Sequence, residues 1–244
     1  QEEIGDRPGQ SISLHNIGSV IKKLGDYPKA MEYINTSLKI KEEIGDRQGL
    51  AASYNTVGSL NKILGNFPKA LEYYGKSLKM AEELGDRQDQ AMSLDSMGRI
   101  YLETGEYQLS RECLLRGKKI ALEIKAKAAL RGIYVSCGEL EIAVGGHQAA
   151  GNYAVQALQL AGELKSRAGR AEALLLQARI EGSADKFIEA INIFNELNQP
   201  LETATAKLYY GLALGRPEKT AEAREIFEKL GAKGWLARMG SGVV

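Results

Sequence analysis

Apolar side chains recur along this chain at every third or fourth position, which gathers them on one face of an α-helix. No stretch of useful length alternates with period two, so strands are not expected. In each of three successive units an amphipathic stretch of roughly 15 residues ends at Gly25, Gly65 or Gly105, and a second begins after Asp26, Asn66 or Glu106. Glycine closes a helix by turning left-handed, and the residue after it starts the next. Pro28 and Pro68 follow, in a first turn that tolerates a residue without a backbone N–H. The second helices run to Ile44 and Leu84 and stop at a Gly-Asp-Arg turn.

These helix pairs are copies of one another. Units opening with Gly-Asp-Arg at Gly5, Gly45 and Gly85 are 40 residues long, a fainter copy starts at Lys125, and two more carry ALLLQARI…EAINIFNEL and YYGLALG…AEAREIFEKL. A small residue recurs at Gly18, Gly58, Gly98, Gly138, Ala178 and Gly211. Twelve residues after each stands Ala30, Ala70, Ser110, Ala150, Ala190 or Ala223, and four further on Ile34, Tyr74, Leu114, Ala154, Phe194 or Phe227. Antiparallel helices reach about 8–10 Å separation only where small residues face each other, with a bulky side chain one turn away filling the gap.

The pattern resembles the tetratricopeptide-repeat family, whose signature pairs a leucine-glycine with a later tyrosine, then alanine and phenylalanine four apart. Met97, Gly98, Tyr101, Ala190 and Phe194 fit it, whereas Asn61, Glu141 and Ala154 depart. The family's common unit is about 34 residues; the 40-residue units with Gly-Asp-rich turns are most similar to the subgroup of Pins-type polarity scaffolds and bacterial regulators. From Ala178 to Gly211 the spacing shrinks to 33, near Asn198, Gln199 and Pro200. The resemblance implies an all-α, right-handed α-solenoid of about six tandem helix-turn-helix repeats with a C-terminal capping segment. Residues 9–232 would form the solenoid and 233–244 a cap and flexible tail. Residues 1–8 read as the tail of a truncated upstream repeat, because QEEIGDRPG nearly repeats KEEIGDRQG from Lys41. The chain then reads as a piece of a longer polypeptide, or as a product of processing. The stretch from Ala223 to Met239 is similar to the ends of repeat domains in large bacterial signalling proteins.

Composition narrows the function. Thirty-two basic against thirty-one acidic residues leave a net charge of +1, so no overall field recruits nucleic acid or an anionic membrane. No apolar run approaches the roughly 20 residues of a membrane span, and a cytoplasmic protein is expected. Cys113 and Cys137 are too few for a disulfide framework and read as small buried hydrophobes. Gly75-Lys76-Ser77 lacks the first glycine of a phosphate loop and falls inside a helix. His15 and His147, the only histidines, stand in no nucleophile pattern, and the acids Glu42, Glu43, Glu82 and Glu83 read as solvated surface. Asn35-Thr36-Ser37 is a glycosylation acceptor by pattern only. No catalytic residue, metal or cofactor is expected.

Binding is the remaining use of such an array, on the concave wall lined by the first helix of each pair. Phase relative to the small residues predicts His15, Ser19, Lys22 and Lys23, then Asn55, Ser59 and Lys62, then Asp95, Arg99 and Glu103, with Asn16 one residue off the line. Asparagine both donates and accepts, and lysine and arginine make charge-assisted bonds, so these types suit a peptide backbone or its carboxylates; a merely solvated face is the alternative. Further on the predicted wall turns apolar at Val135, Ile142, Leu175, Leu208 and Leu212, to be covered by tighter coiling or a C-terminal cap built on Trp235, Leu236 and Met239, or by a partner helix. A basic cluster of Arg116, Lys118, Lys119, Lys125, Lys127 and Arg131 reads as a solvated face or an acidic-partner site. Two functions follow: a module that holds a protein or peptide partner in its groove, or a regulatory arm packing against other domains of a longer signalling chain. The oligomeric state stays open.

Overall fold

A computed structural model describes residues 6–241; residues 1–5 and 242–244, assigned above to an upstream tail and a flexible end, lie outside the described residues. Helices alone make up the fold, with no strand among the described residues. Consecutive helices pack as pairs: α1 (Arg7–Leu24) on α2 (Tyr27–Ile44), α3 (Arg47–Ile63) on α4 (Phe67–Leu84), and α5 (Arg87–Glu103) on α6 (Tyr107–Glu123). The later pairs are α7 (Lys127–Ala143) with α8 (His147–Glu163), α9 (Arg167–Glu181) with α10 (Ala184–Glu196), and α11 (Pro200–Ala213) with α12 (Pro217–Leu230). A short α13 (Lys233–Ser241) follows. The result is an α-solenoid of six pairs.

The Gly-Asp-Arg turn has a separate task for each residue. Gly45 ends α2 at a φ of +70°, and the carboxylate of Asp46 then accepts a hydrogen bond from the Gly49 N–H at 2.9 Å, capping α3. Asp6 and Asp86 cap α1 and α5 in the same way. The arginine reaches the glutamate near the end of the outer helix of its own pair: Arg7 to Glu43, Arg47 to Glu83 and Arg87 to Glu123, with Lys127–Glu163 continuing the ladder at 2.8 Å. These pairs are exposed, so they hold register more than they add stability. Glu43 and Glu83 are thus ladder members rather than idle surface charges.

The small residues sit where the helices touch. A Cβ on Gly18 would lie 2.8 Å from Ile34, one on Gly58 2.8 Å from the Tyr74 ring, and one on Gly98 2.8 Å from Leu114. In the fourth pair the expected bulky position is Ala154, and Leu176 from α9 fills the space at Gly138 instead.

Inner helices α1, α3, α5, α7, α9 and α11 contact each other in order, and α11 returns to touch α1. The end of the array also meets its beginning through α12 and α13. Leu230 packs so close to the α1–α2 turn that a Cβ on Gly25 would stand 2.3 Å from its Cδ2. One apolar cluster accordingly joins Tyr27, Ile34, Val57 and Leu60 from the first two pairs to Leu208, Phe227 and Ala232 from the last. The solenoid closes on itself as a ring.

Gly58 and Gly75 make opposite predictions. Gly58→Ala forces the buried Tyr74 ring to move and should destabilise the fold by about 1–3 kcal/mol. Gly75→Ala meets no heavy atom within 4 Å and should stabilise it by roughly 0.5–1 kcal/mol. Urea unfolding followed by circular dichroism reads both signs.

Candidate functional site

The ring of inner helices encloses a cavity of about 480 Å³. Its wall carries six cations, Lys22, Lys23, Lys62, Arg99, Arg179 and Arg238, and four carboxylates, Glu103, Glu139, Glu172 and Glu202. Several are engaged across helices: Lys62 Nζ lies 2.8 Å from Glu103, Arg238 3.6 Å from the same carboxylate, and Arg179 3.7 Å from Glu139. Arg179 also stacks over the Tyr209 ring, 3.9 Å from its centroid, and Arg131 pairs with Glu172 from outside the lining. Lys22 donates to Ser59 Oγ at 3.2 Å.

Enclosure shows in the titration of these groups. Burial pulls Lys22 and Lys62 below the usual lysine range and pushes Glu202 above the usual carboxylate range. Burial also works against the charge on Glu103, but Lys62 and Arg238 outweigh it and hold that carboxyl low. Arg99 is crowded by protein on every side, yet its side chain remains solvent-accessible. Burial opposes its charge as well, and Glu139, Asp95 and Glu103 more than compensate. The lumen is therefore confined but open to solvent.

Of the polar residues expected on the inner wall, Lys22, Lys23, Asn55, Ser59, Lys62, Arg99 and Glu103 line this cavity, and Val135 and Leu175 do so from the apolar set. The other expected positions fall elsewhere. His15 lies one level away, its Nδ1 3.3 Å from Ser53 Oγ; Asn16 is exposed, and Ser19 is half-buried beyond the lining. Asp95 faces Arg99 and Ser136 from behind, with a buried Oδ1 that accepts no hydrogen bond. Ile142 is half-buried off the lumen, Leu208 is 1% exposed inside the core cluster, and Leu212 is 52% exposed on the outside.

The reason is superhelical pitch. Lining residues slide from the last turn of α1 (Lys22, Lys23) through the middle of α5 to the first turns of α11 (Leu201, Glu202, Thr205). A fixed offset from the small residues therefore finds the lumen in the first three pairs and overshoots it in the last. Of the charged residues that phase did not supply, Glu139 and Arg179 stand one residue after Gly138 and Ala178, the offset of Ser59 and Arg99, so the same count reaches them; Glu172 and Glu202 lie nearer the N-terminal ends of α9 and α11, and Arg238 comes from α13, outside the repeat. The basic cluster is largely engaged: Arg116 with Glu82 at 3.7 Å, Lys118 with the Tyr153 hydroxyl at 3.2 Å, Lys127 with Glu163 and Arg131 with Glu172.

The family model of the tetratricopeptide repeat matches residues 9–83 and 49–123. Residues 9–123, the first three helix pairs, are tetratricopeptide repeats. No curated protein matches its sequence. Among solved structures it is similar to a Rap protein complexed with competence and sporulation factor, with a TM-score of 0.77, 12% identity, and coverage of 91% of this chain and 65% of that one. It is also similar to the Rap conjugation gene regulator of plasmid pLS20 in complex with a peptide, with a TM-score of 0.78, 12% identity, and coverage of 98% and 66%. A third is a signal-transduction ATPase with numerous domains and a tetratricopeptide-repeat sensor from Pyrococcus horikoshii, with a TM-score of 0.58, 15% identity, and coverage of 99% and 39%. At such identities the likeness is one of fold. This chain spans less than two-thirds of the Rap protein that binds competence and sporulation factor and well under half of the ATPase.

In this tetratricopeptide array α13 both covers the last repeat and fastens the ring. Trp235 stacks on Phe227, centroids 5.3 Å apart and planes 2° apart, meets Tyr209 edge-on at 6.3 Å, and lies 4.4 Å beneath the Arg238 guanidinium. Leu236 and Met239 pack on the same core. Across the ring, Gly234 lies directly on α3: a Cβ there would stand 2.9 Å from the Lys62 carbonyl oxygen and 3.1 Å from the Gly65 nitrogen.

Backbone atoms cannot yield to a side chain, so Gly234→Leu should lift α13 from α3. Trp235 is the only tryptophan, and its emission should shift to the red while far-ultraviolet circular dichroism stays nearly unchanged. His15 supplies a second test. Burial, then Lys41 and Lys22, lower its imidazole from 6.5 to about 4. An unfolded histidine binds its proton near about 6.5, so between those values the unfolded state holds more protons and stability falls with falling pH. Nuclear magnetic resonance should show the His15 ring titrating near pH 4, with this contribution to stability fully present above the unfolded value.

Proposed function

We propose that the ring holds a short segment of a partner protein in its lumen. The carrying observation is a closed wall of inner helices around a solvent-accessible cavity lined by charged and apolar side chains, whose volume falls within the roughly 300–1,000 Å³ of ligand pockets. Asn55 offers a donor and an acceptor to a peptide backbone, and Arg99 presents a solvated guanidinium to a carboxylate. The two Rap structures, which share the fold, are complexes with competence and sporulation factor and with a peptide.

A binding role also agrees with where the nucleophiles lie. The one serine beside a lysine and a histidine, Ser53 with Lys41 Nζ at 2.9 Å and His15 at 3.3 Å, has no exposed surface for a substrate to reach. Cys137 is buried, and burial raises its thiol to about 12. Among the described residues no group of His, Cys, Asp and Glu could hold a metal ion, and no helix is long and apolar enough to cross a membrane. A second reading, a sensor arm within a longer signalling chain, is favoured by the likeness to the sensor-bearing ATPase.

Selection from a randomised peptide display library on the whole chain tests the first reading. Selected peptides should bind the Asn55→Ala/Arg99→Ala variant at least about tenfold more weakly, with helicity unchanged by circular dichroism. Equal affinity for both proteins, or no selected peptide at all, places the guest outside the lumen.

A further inference from the structure

The charges on the lumen wall are sorted. The arc formed by α1, α3 and α5 contributes Lys22, Lys23, Lys62 and Arg99 against Glu103, an excess of three positive charges, and Arg238 of α13, which packs on α3 and pairs with Glu103, adds a further cation on that side. The facing arc of α7, α9 and α11 contributes Glu139, Glu172 and Glu202 against Arg179, an excess of two negative charges. Composition does not explain this, because the whole chain carries only +1. We infer that the guest is a peptide of divided charge, its carboxylates against the α1–α3–α5 arc and its cations against the α7–α9–α11 arc. This rests on the lumen being the binding site.

The two arcs are near enough to act on one guest together. Arg99 on α5 interacts with Glu139 on α7 and Glu172 on α9, Lys62 on α3 with Glu139, and Lys22 on α1 with Glu202 on α11. The contacts of α11 with α1 and of α13 with α3 hold the two arcs facing one another around a shared lumen. A peptide of a single sign gains at one arc and is repelled at the other, whereas divided charge gains at both; this is discrimination by repulsion as much as by attraction. Desolvation of Lys22, Lys62 and Glu202 points the same way, since each stands to gain from an opposite charge brought into the lumen. Asn55, Ser59, Ser96 and Thr205 between the charged groups leave neutral hydrogen-bonding capacity for the backbone.

Double-mutant cycles on a library-selected peptide decide the matter. Replacing its acidic residues by glutamine should cost about tenfold in affinity for the wild-type chain and almost nothing for Arg99→Gln. Replacing its basic residues should cost a similar factor with wild type and almost nothing with Glu202→Gln. Should Arg99→Gln fail to fold, the exposed Lys23→Gln repeats the acid cycle. Selected peptides of one sign, or losses that simply add in either cycle, overturn the inference and leave the lumen reading standing. A library that yields no binder overturns both.

Discussion

Helices that cross at a glycine can lie closer together than others, and everything else in this ring depends on that approach. Gly18, Gly58 and Gly98 have no room for even one carbon beside Ile34, Tyr74 and Leu114. Such contacts fix the tilt of each pair, and a tilt repeated six times turns a row of helix pairs into a curve. The Asp caps fix where each inner helix starts, and the Arg–Glu ladder ties it to the outer helix of the same pair. A change of tilt at one pair would be multiplied along the array, which is why an otherwise tolerant helical surface keeps these positions small.

Curvature of this degree brings the ends together, and the ends are built to meet. Leu230 enters the space above Gly25, and Gly234 lies on the backbone of α3 at Gly65. Both contacts need a residue without a side chain, and both join the first two helix pairs to the end of the array. Closure changes the physics of the inner surface. On an open groove, Lys22, Arg99 and Glu202 would be well hydrated and only weakly coupled; inside a ring they are partly desolvated and interact across the lumen.

The fold was legible in the sequence because each of its signals is local. Helix ends at Gly25, Gly65 and Gly105, the period of the small residues, and the Gly-Asp-Arg stops after Ile44 and Leu84 involve neighbours within a turn or within one pair. The site was half legible. Asn55, Ser59, Lys62, Arg99 and Glu103 share the level of the lumen with their small residues, so phase found them, while Leu208 and Leu212 obeyed the same phase and lie elsewhere. Glu139 stands at the same offset as Ser59 and Arg99, whereas Glu172 and Glu202 could not be found by it, because the level of the lumen shifts along each successive inner helix.

Sequence alone thus determined that this chain is a stack of helix pairs held at small residues, since that information lies within one unit and is repeated. Tertiary structure decided that the stack closes, that α13 fastens it, and that positive and negative walls face each other. Pitch and curvature accumulate over all six pairs, and contacts such as Gly25 with Leu230 arise from the sum of many small rotations rather than from any pattern a short stretch of residues can carry.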